Sequence, residues 1–188
     1  MSLPRKNGRR RRGAVTVEMT LVGIPLMFIL ISIFEMSRGM WMYHTSAHAV
    51  KQGVRTAVVH GFNCVNAPPG VTNSCALTAN EIILGTTLNG FRIEGIKDKA
   101  VGLEPANTLV TFDTGNTAAF QCKLDGTSTS AGCTSTWPPV GDNNVGTLIE
   151  IDITTPFRSA LSMFWPGAGA VQFGLVNLGA SSIDKVQF

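Results

Sequence analysis

The sequence predicts an α+β protein in which one long N-terminal helix, membrane-spanning and then amphipathic, packs on a small antiparallel sheet. Three observations carry this. Residues 14–34 are mostly apolar with Glu18 as their single charge, residues 35–59 turn one-sided, and beyond Gly61 short β-branched runs alternate with Gly, Pro and Asn/Asp clusters. The chain has 188 residues, enough for an anchor and one domain with a modest core. It divides into a basic leader (1–13), a transmembrane segment (14–34), an amphipathic continuation (35–61) and an exported α+β domain (62–188).

The leader is polar, holds Pro4, Gly8 and Gly13, and has nothing to pack. The formal charge of +3 is its property. Six of the 15 Lys and Arg fall in residues 1–13, which leaves nine against 12 acidic side chains in the remainder. The basic excess is therefore no nucleic-acid footprint. Basic residues flanking an apolar span stay on the cytoplasmic side, which exports the C-terminal domain. A secretory signal cut at Ala47-His48-Ala49 is a poorer reading, because the apolar run ends well before that site and is too long for a signal core.

An apolar segment of about 20 residues, at a helical rise of about 1.5 Å, crosses a hydrocarbon core. Glu18 is the anomaly, since a carboxylate there costs on the order of 2.5 kcal/mol at mid-membrane and less near an end. Pro25 removes a helix hydrogen bond and predicts a kink, with Gly23 beside it. After Phe34 an apolar stripe reads Met36, Met40, Tyr43, Ala47, Val50, Val54 and Ala57, and Trp41 and Tyr43 sit where an interfacial belt belongs. His44 and His48 have the spacing of a helical metal pair, but no Glu follows His44, so they read as solvated surface histidines.

Gly61 ends the helix. Thr78 with Glu81 is a capping box that opens a helix over 79–89, weakened by Gly85. Strands are predicted at 108–113, 118–124, 147–154, 170–177 and 182–188, with a break at Thr155-Pro156-Phe157. In the third, Ile149, Ile151 and Ile153 form a core face opposite Glu150 and Asp152. Residues 126–144 read as a polar surface loop, and 161–166 as an apolar patch, either core or a subunit contact.

Cys64 and Cys75 are eleven apart, as are Cys122 and Cys133. Metal sites favour shorter gaps with histidine, so these are read as disulfides of an oxidising compartment. Three connectivities exist; Cys64–Cys75 with Cys122–Cys133 is favoured because each closes a short loop. No catalytic constellation, metal set or cofactor motif is found. Residues 167–172 lack the flanking strand and helix of a dinucleotide fingerprint.

The pieces Arg12-Gly13, Val17-Glu18, Pro25, Glu35 with Arg38, and Ala49 through Gly53-Val54-Arg55 together resemble the TadE-like minor pseudopilins of tight-adherence (Flp) type IV pili. The resemblance spans residues 9–61 and is diffuse beyond. Met19 departs from the family's usual Phe or Tyr. The resemblance implies a pilin-like architecture and a structural subunit, not an enzyme, that assembles or primes a pilus. It also implies cleavage between Gly13 and Ala14 by a prepilin peptidase. Glu18 would be the charge that meets a neighbour's new α-ammonium. The partners implied are the peptidase, other pilins or pseudopilins, and the assembly machinery of secretion ATPase, platform protein and outer-membrane channel. The location implied is the bacterial inner membrane, N-terminus cytoplasmic and domain periplasmic, with incorporation into a surface pilus as a further step. The alternative is an uncleaved single-pass inner-membrane anchor displaying a periplasmic binding domain.

Overall fold

Between residues 10 and 59 there is one proline, and α1 (Arg10–Val59) runs the whole length despite four glycines. It is already helical at Arg10, the first described residue and inside the basic stretch, because arginine favours a helix about as well as the apolar residues after it. Pro25 lies within α1 and leaves the Leu21 carbonyl without its usual donor. The computed structural model describes residues 10–64, 75–159 and 175–187. The apolar patch at 161–166 and the sequence at 167–172 lie outside the described residues.

The domain begins with α2 (Ala79–Leu84), shorter than expected. Thr78 Oγ1 accepts from the Glu81 amide at 3.2 Å, and the Thr78 amide donates to Glu81 Oε2 at 2.7 Å, completing the predicted capping box. Gly85 then takes φ +77°, and the chain turns into a hairpin of β1 (Thr86–Leu88) and β2 (Phe91–Ile93). Asn89 (φ 52°) and Gly90 (φ 84°) form its two-residue turn. Asn-Gly supplies the two positive φ angles that such a turn demands. Residues 86–89 are therefore not helical, contrary to the sequence reading.

A one-turn helix α3 (Ile96–Lys99) leads to the main sheet of β3 (Leu109–Asp113), β4 (Phe120–Lys123), β5 (Leu148–Arg158) and β6 (Leu175–Lys185). The order is β4-β3-β5-β6, every pair antiparallel. The α+β class expected from the sequence is the class observed. β5 does not break at Pro156. Its pairing with β3 ends at Thr154, so beyond that point one side of β5 is free and a residue without an N–H is tolerated. Where they are described, the two strands expected at 170–177 and 182–188 join into one strand, β6, which pairs through Gly179 with Thr154.

Ile149, Ile151 and Ile153 are fully buried on one face of β5, with Val110 and Phe112 beside them. Burying each isoleucine contributes roughly 1.5–3 kcal/mol. Residues 126–144 are not a surface loop throughout. They hold α4 (Ala131–Thr134), and Trp137 is buried edge-on against Phe112 with ring centroids 4.9 Å apart. Polar composition concealed one large core residue.

Candidate functional site

The first half of α1 stands clear of the domain. Val15, Val17, Met19, Leu21, Val22 and the apolar side chains through Phe34 are exposed except for the half-buried Ile31, and no part of the most apolar window is buried. This helix is long and apolar enough to cross a membrane. Its polar groups are mostly satisfied internally. Thr20 Oγ1 donates to the Val17 carbonyl at 2.9 Å and Ser32 Oγ to Phe28 at 2.8 Å, so neither hydroxyl opposes an apolar surrounding. Glu18 is exposed on this segment, one turn after Ala14. Gly13, Ala14, Glu18 and Pro25 are thus all carried by α1, and the Gly13-Ala14 peptide lies inside helical backbone.

The second half seats the domain, on the predicted stripe toward its end but not toward its start. The buried line is Met42, Ser46, Ala49, Gly53 and Ala57, prolonged toward the apolar half by Gly39 and Glu35. From Glu35 to Gly53 it lies one residue before the predicted line, about 100° round the helix, and the two meet at Ala57. Val50, Val54 and Ala57 are buried as expected, but Met36 (75%), Met40 (61%) and Tyr43 (48%) are exposed and Ala47 only half-buried. The reason is approach distance. A Cβ on Gly53 would lie 2.6 Å from both Cδ1 and Cγ1 of Ile96, and a Cβ on Gly39 would touch the Phe157 ring at 3.8 Å. Small residues let the helix sink onto α3 and β5, and large apolar ones are left outside. Gly39, Ser46 and Gly53 recur every seven residues, a signal that a search for bulky apolar side chains passes over.

The contacts also fix direction. Arg38 Nη1 donates to the Arg158 carbonyl at 3.3 Å, Gly39 faces Phe157, and Gly53 lies near Ile151. β5 therefore runs antiparallel to α1, toward its apolar half, and β6 runs away from it. The Arg38 guanidinium also lies over the Phe157 ring, 5.4 Å from its centroid.

Polar clamps finish the seat. With its amide assigned in the orientation that satisfies both groups, the Asn143 side-chain oxygen accepts from the amides of Asn63 (2.8 Å) and Phe62 (3.3 Å), just past the end of α1. Asp142, buried beside it, accepts from Thr114 Oγ1 at 2.6 Å. That bond, with further ones from Asn116 and Thr117, holds the carboxyl below the usual range despite burial. On the surface, Asp98 takes both its oxygens to Arg92, which lowers its pKa, and Lys99 pairs with Glu94. Cys64 is bonded to Cys75 and Cys122 to Cys133. His60 Nδ1 lies 3.0 Å from the Cys75 carbonyl and 4.0 Å from Cys64 Sγ. This is the one grouping of three metal-capable side chains among the described residues, and its two sulfurs are committed to each other. His44 and His48 are exposed and belong to no such grouping.

A free apolar half-helix continuous with a helix that seats a small α+β domain defines a class: a membrane-associating helix that carries a folded head. Within that class, residues 13–55 match the family profile described as TadE-like protein. The matched stretch begins at Gly13 and lies wholly within α1, so the chain is similar to TadE-like proteins along its helix. No curated protein and no solved structure matches it.

Proposed function

We propose that the chain is a pseudopilin-like structural subunit for assembly or priming of a tight-adherence pilus, exported with its head in the periplasm. A prepilin peptidase cuts between Gly13 and Ala14. The observation that carries the reading is α1 itself: an exposed apolar half bearing Glu18 near its start, and a second half seated along one side against the head. Cleavage leaves an α-ammonium on Ala14 in an apolar setting, and Glu18 of a neighbouring subunit offsets it. The partners are then the peptidase, other pilins or pseudopilins, and the assembly machinery. No enzymatic step is assigned to the chain.

One observation favours a second reading, an uncleaved single-pass anchor with a periplasmic binding domain. The Gly13-Ala14 bond lies in helical backbone, which a peptidase must first unwind. Amino-terminal sequencing of the native protein decides between them. A first residue of Ala14 supports the subunit reading, and a start at Met1 or Ser2 in cells that hold the peptidase overturns it.

A further inference from the structure

Two faces of the head carry unpaired charge of opposite sign. The first is the back of α1. His44, His48, Lys51 and Arg55 are exposed, and at about 100° per residue they lie opposite Gly53 and the buried line. No acidic residue occurs between Glu35 and Glu81, so the helix itself offers these groups no counter-charge. Lys51 and Arg55 are four residues apart, a like-charge spacing that destabilises a helix.

The second is the face of the main sheet turned away from α1. Glu150 and Asp152 alternate with the buried isoleucines of β5, and Asp113 of β3 stands directly opposite Glu150 in the ladder. Like charges at such a position repel. A cavity of about 190 Å³ opens between Asp113, Glu150, Leu148 and Ile183, the last two exposed. Asp113 Oδ1 accepts from the Gly115 amide at 2.7 Å, and Asp152 Oδ2 from Thr154 Oγ1 at 3.3 Å. Lys123 and Lys185 belong to the same face. Among the described residues, none of the three acids is in an ion pair, and neither Lys51 nor Arg55 is.

The two faces stand at one height. Gly39 meets Phe157 and Gly53 meets Ile151. From Gly39 to Gly53 the helix rises about 21 Å, and from Phe157 back to Ile151 the strand covers about 20 Å, so the two elements keep step. Lys51 and Arg55 lie about 3 Å to either side of Gly53, and Asp152 and Glu150 about 3 Å to either side of Ile151. Because β5 runs antiparallel to α1, Arg55 is level with Glu150 and Lys51 with Asp152.

We infer that the head binds a second copy side by side, the His44–His48–Lys51–Arg55 face of one α1 against the Asp113–Glu150–Asp152 sheet face of the next. This rests on the reading of α1 as a membrane anchor and deepens the subunit reading. Two anchors in one bilayer share a direction and hold their heads at one height. At that height Arg55 meets Glu150 and Lys51 meets Asp152. The contact is heterologous, so a row of copies can grow. The chain's own undescribed residues offer no alternative. Residues 65–74 and 160–174 contain no charged side chain, and covering either face with them would leave its charges unmet. The basic residues 1–9 precede Arg10, about 60 Å along α1 from Lys51, and nine residues extend at most about 32 Å. Anionic lipid is also out of reach, since Lys51 lies about 25 Å beyond Phe34 and charge is screened within about 8 Å.

The test uses the full-length protein in its native cells, with the photo-crosslinking residue p-benzoylphenylalanine at Ser181, which is exposed on the sheet face opposite Asp152. Phe91, exposed on the β1–β2 hairpin, is the control position. The expected product is an adduct of two copies whose linked peptide comes from residues 44–59, formed from Ser181 and not from Phe91. Arg55→Glu or Glu150→Arg alone should lower its yield about tenfold by bringing like charges together, with membrane insertion and both disulfides unchanged. The chain carrying both substitutions should recover the yield to within about twofold, since each contact again joins opposite charges. No self-adduct, an adduct with a different protein in its place, equal labelling from Phe91, or a double variant as weak as the single ones would each overturn the inference. Amino-terminal sequencing of the same protein is read separately. A start at Met1 or Ser2 sinks the subunit reading, whereas a start at Ala14 without self-adducts sinks only the pairing.

Discussion

Gly53→Ala tests whether the helix is seated by closeness or by apolar bulk. Alanine in a helix interior gains about 0.5–1 kcal/mol over glycine. Here its Cβ would meet Ile96 Cγ1 and Cδ1 at 2.6 Å, well inside contact distance, and Ile96 is fully buried with little room to withdraw. Overpacking of this kind costs about 1–3 kcal/mol, so the net is a loss of roughly 1 kcal/mol. For a chain of this size, that lowers the unfolding midpoint by about 2–4 °C. Gly39→Ala is the matched control, since its Cβ would reach Phe157 only at an ordinary 3.8 Å and the propensity gain should survive. The two substitutions should have opposite signs. Ile96→Ala in the Gly53→Ala background should show a favourable coupling of about 1 kcal/mol, because the new methyl fills the space released. The assay is thermal unfolding of the full chain in detergent, followed by the fluorescence of the buried Trp137. Equal stabilisation by both glycine substitutions would refute the close-approach argument.

Three other outcomes are expected. Glu18→Gln should leave cleavage intact but remove partner association, since an unpaired ammonium in apolar surroundings costs about 3–5 kcal/mol; undiminished co-purification with pilin partners would show that Glu18 is not the counter-charge. Thr114→Val should destabilise the head by about 1.5–3 kcal/mol at neutral pH by removing the hydroxyl that donates to Asp142. The Asp142 carboxyl is held low in the folded state, so its contribution is whole above about pH 4 and is lost as pH falls through the folded value. The gap between wild type and variant should therefore close on acidification, and a gap of constant size would dissociate the effect from that carboxyl. Peptide mapping of exported, unreduced protein should recover Cys64 with Cys75 and Cys122 with Cys133, and crossed pairs such as Cys64 with Cys122 would contradict the two independent loops.

Elements with a strong local signature were readable from the sequence. The apolar run before Phe34, the Thr78–Glu81 capping box and the alternation from Leu148 to Ile153 each announce their structure through spacing alone. The errors arose where tertiary context decides. The Met36–Met40–Tyr43 stripe obeys a helical period, yet the head chose the adjacent line because glycine and serine allow closer contact. Pro156 reads as a break, but only the end of β3 pairing determines whether a strand tolerates it. The Asn89-Gly90 turn was present in the sequence and was absorbed into a helix that Gly85 already ends. Trp137 shows the reverse problem, a core residue hidden in polar surroundings. Glu18 and Gly13 stand out in sequence because charge and smallness are conspicuous there.

The alignment of β5 and β6 with α1 also has a mechanical consequence. Load that enters through the anchored helix and leaves through the head runs along these strands, not across them. The two strands pair over eleven positions, from Leu148 with Lys185 to Arg158 with Leu175. Axial tension therefore strains many cross-strand hydrogen bonds together in shear, and they cannot open one after another from an end. The interlock of Gly53 with Ile96 opposes sliding of the helix along the same line. Stretching a single molecule between its anchor and head should give one abrupt rupture, whereas a staircase of small yields would show that the head peels. A head built this way can stay folded under load carried along its helix.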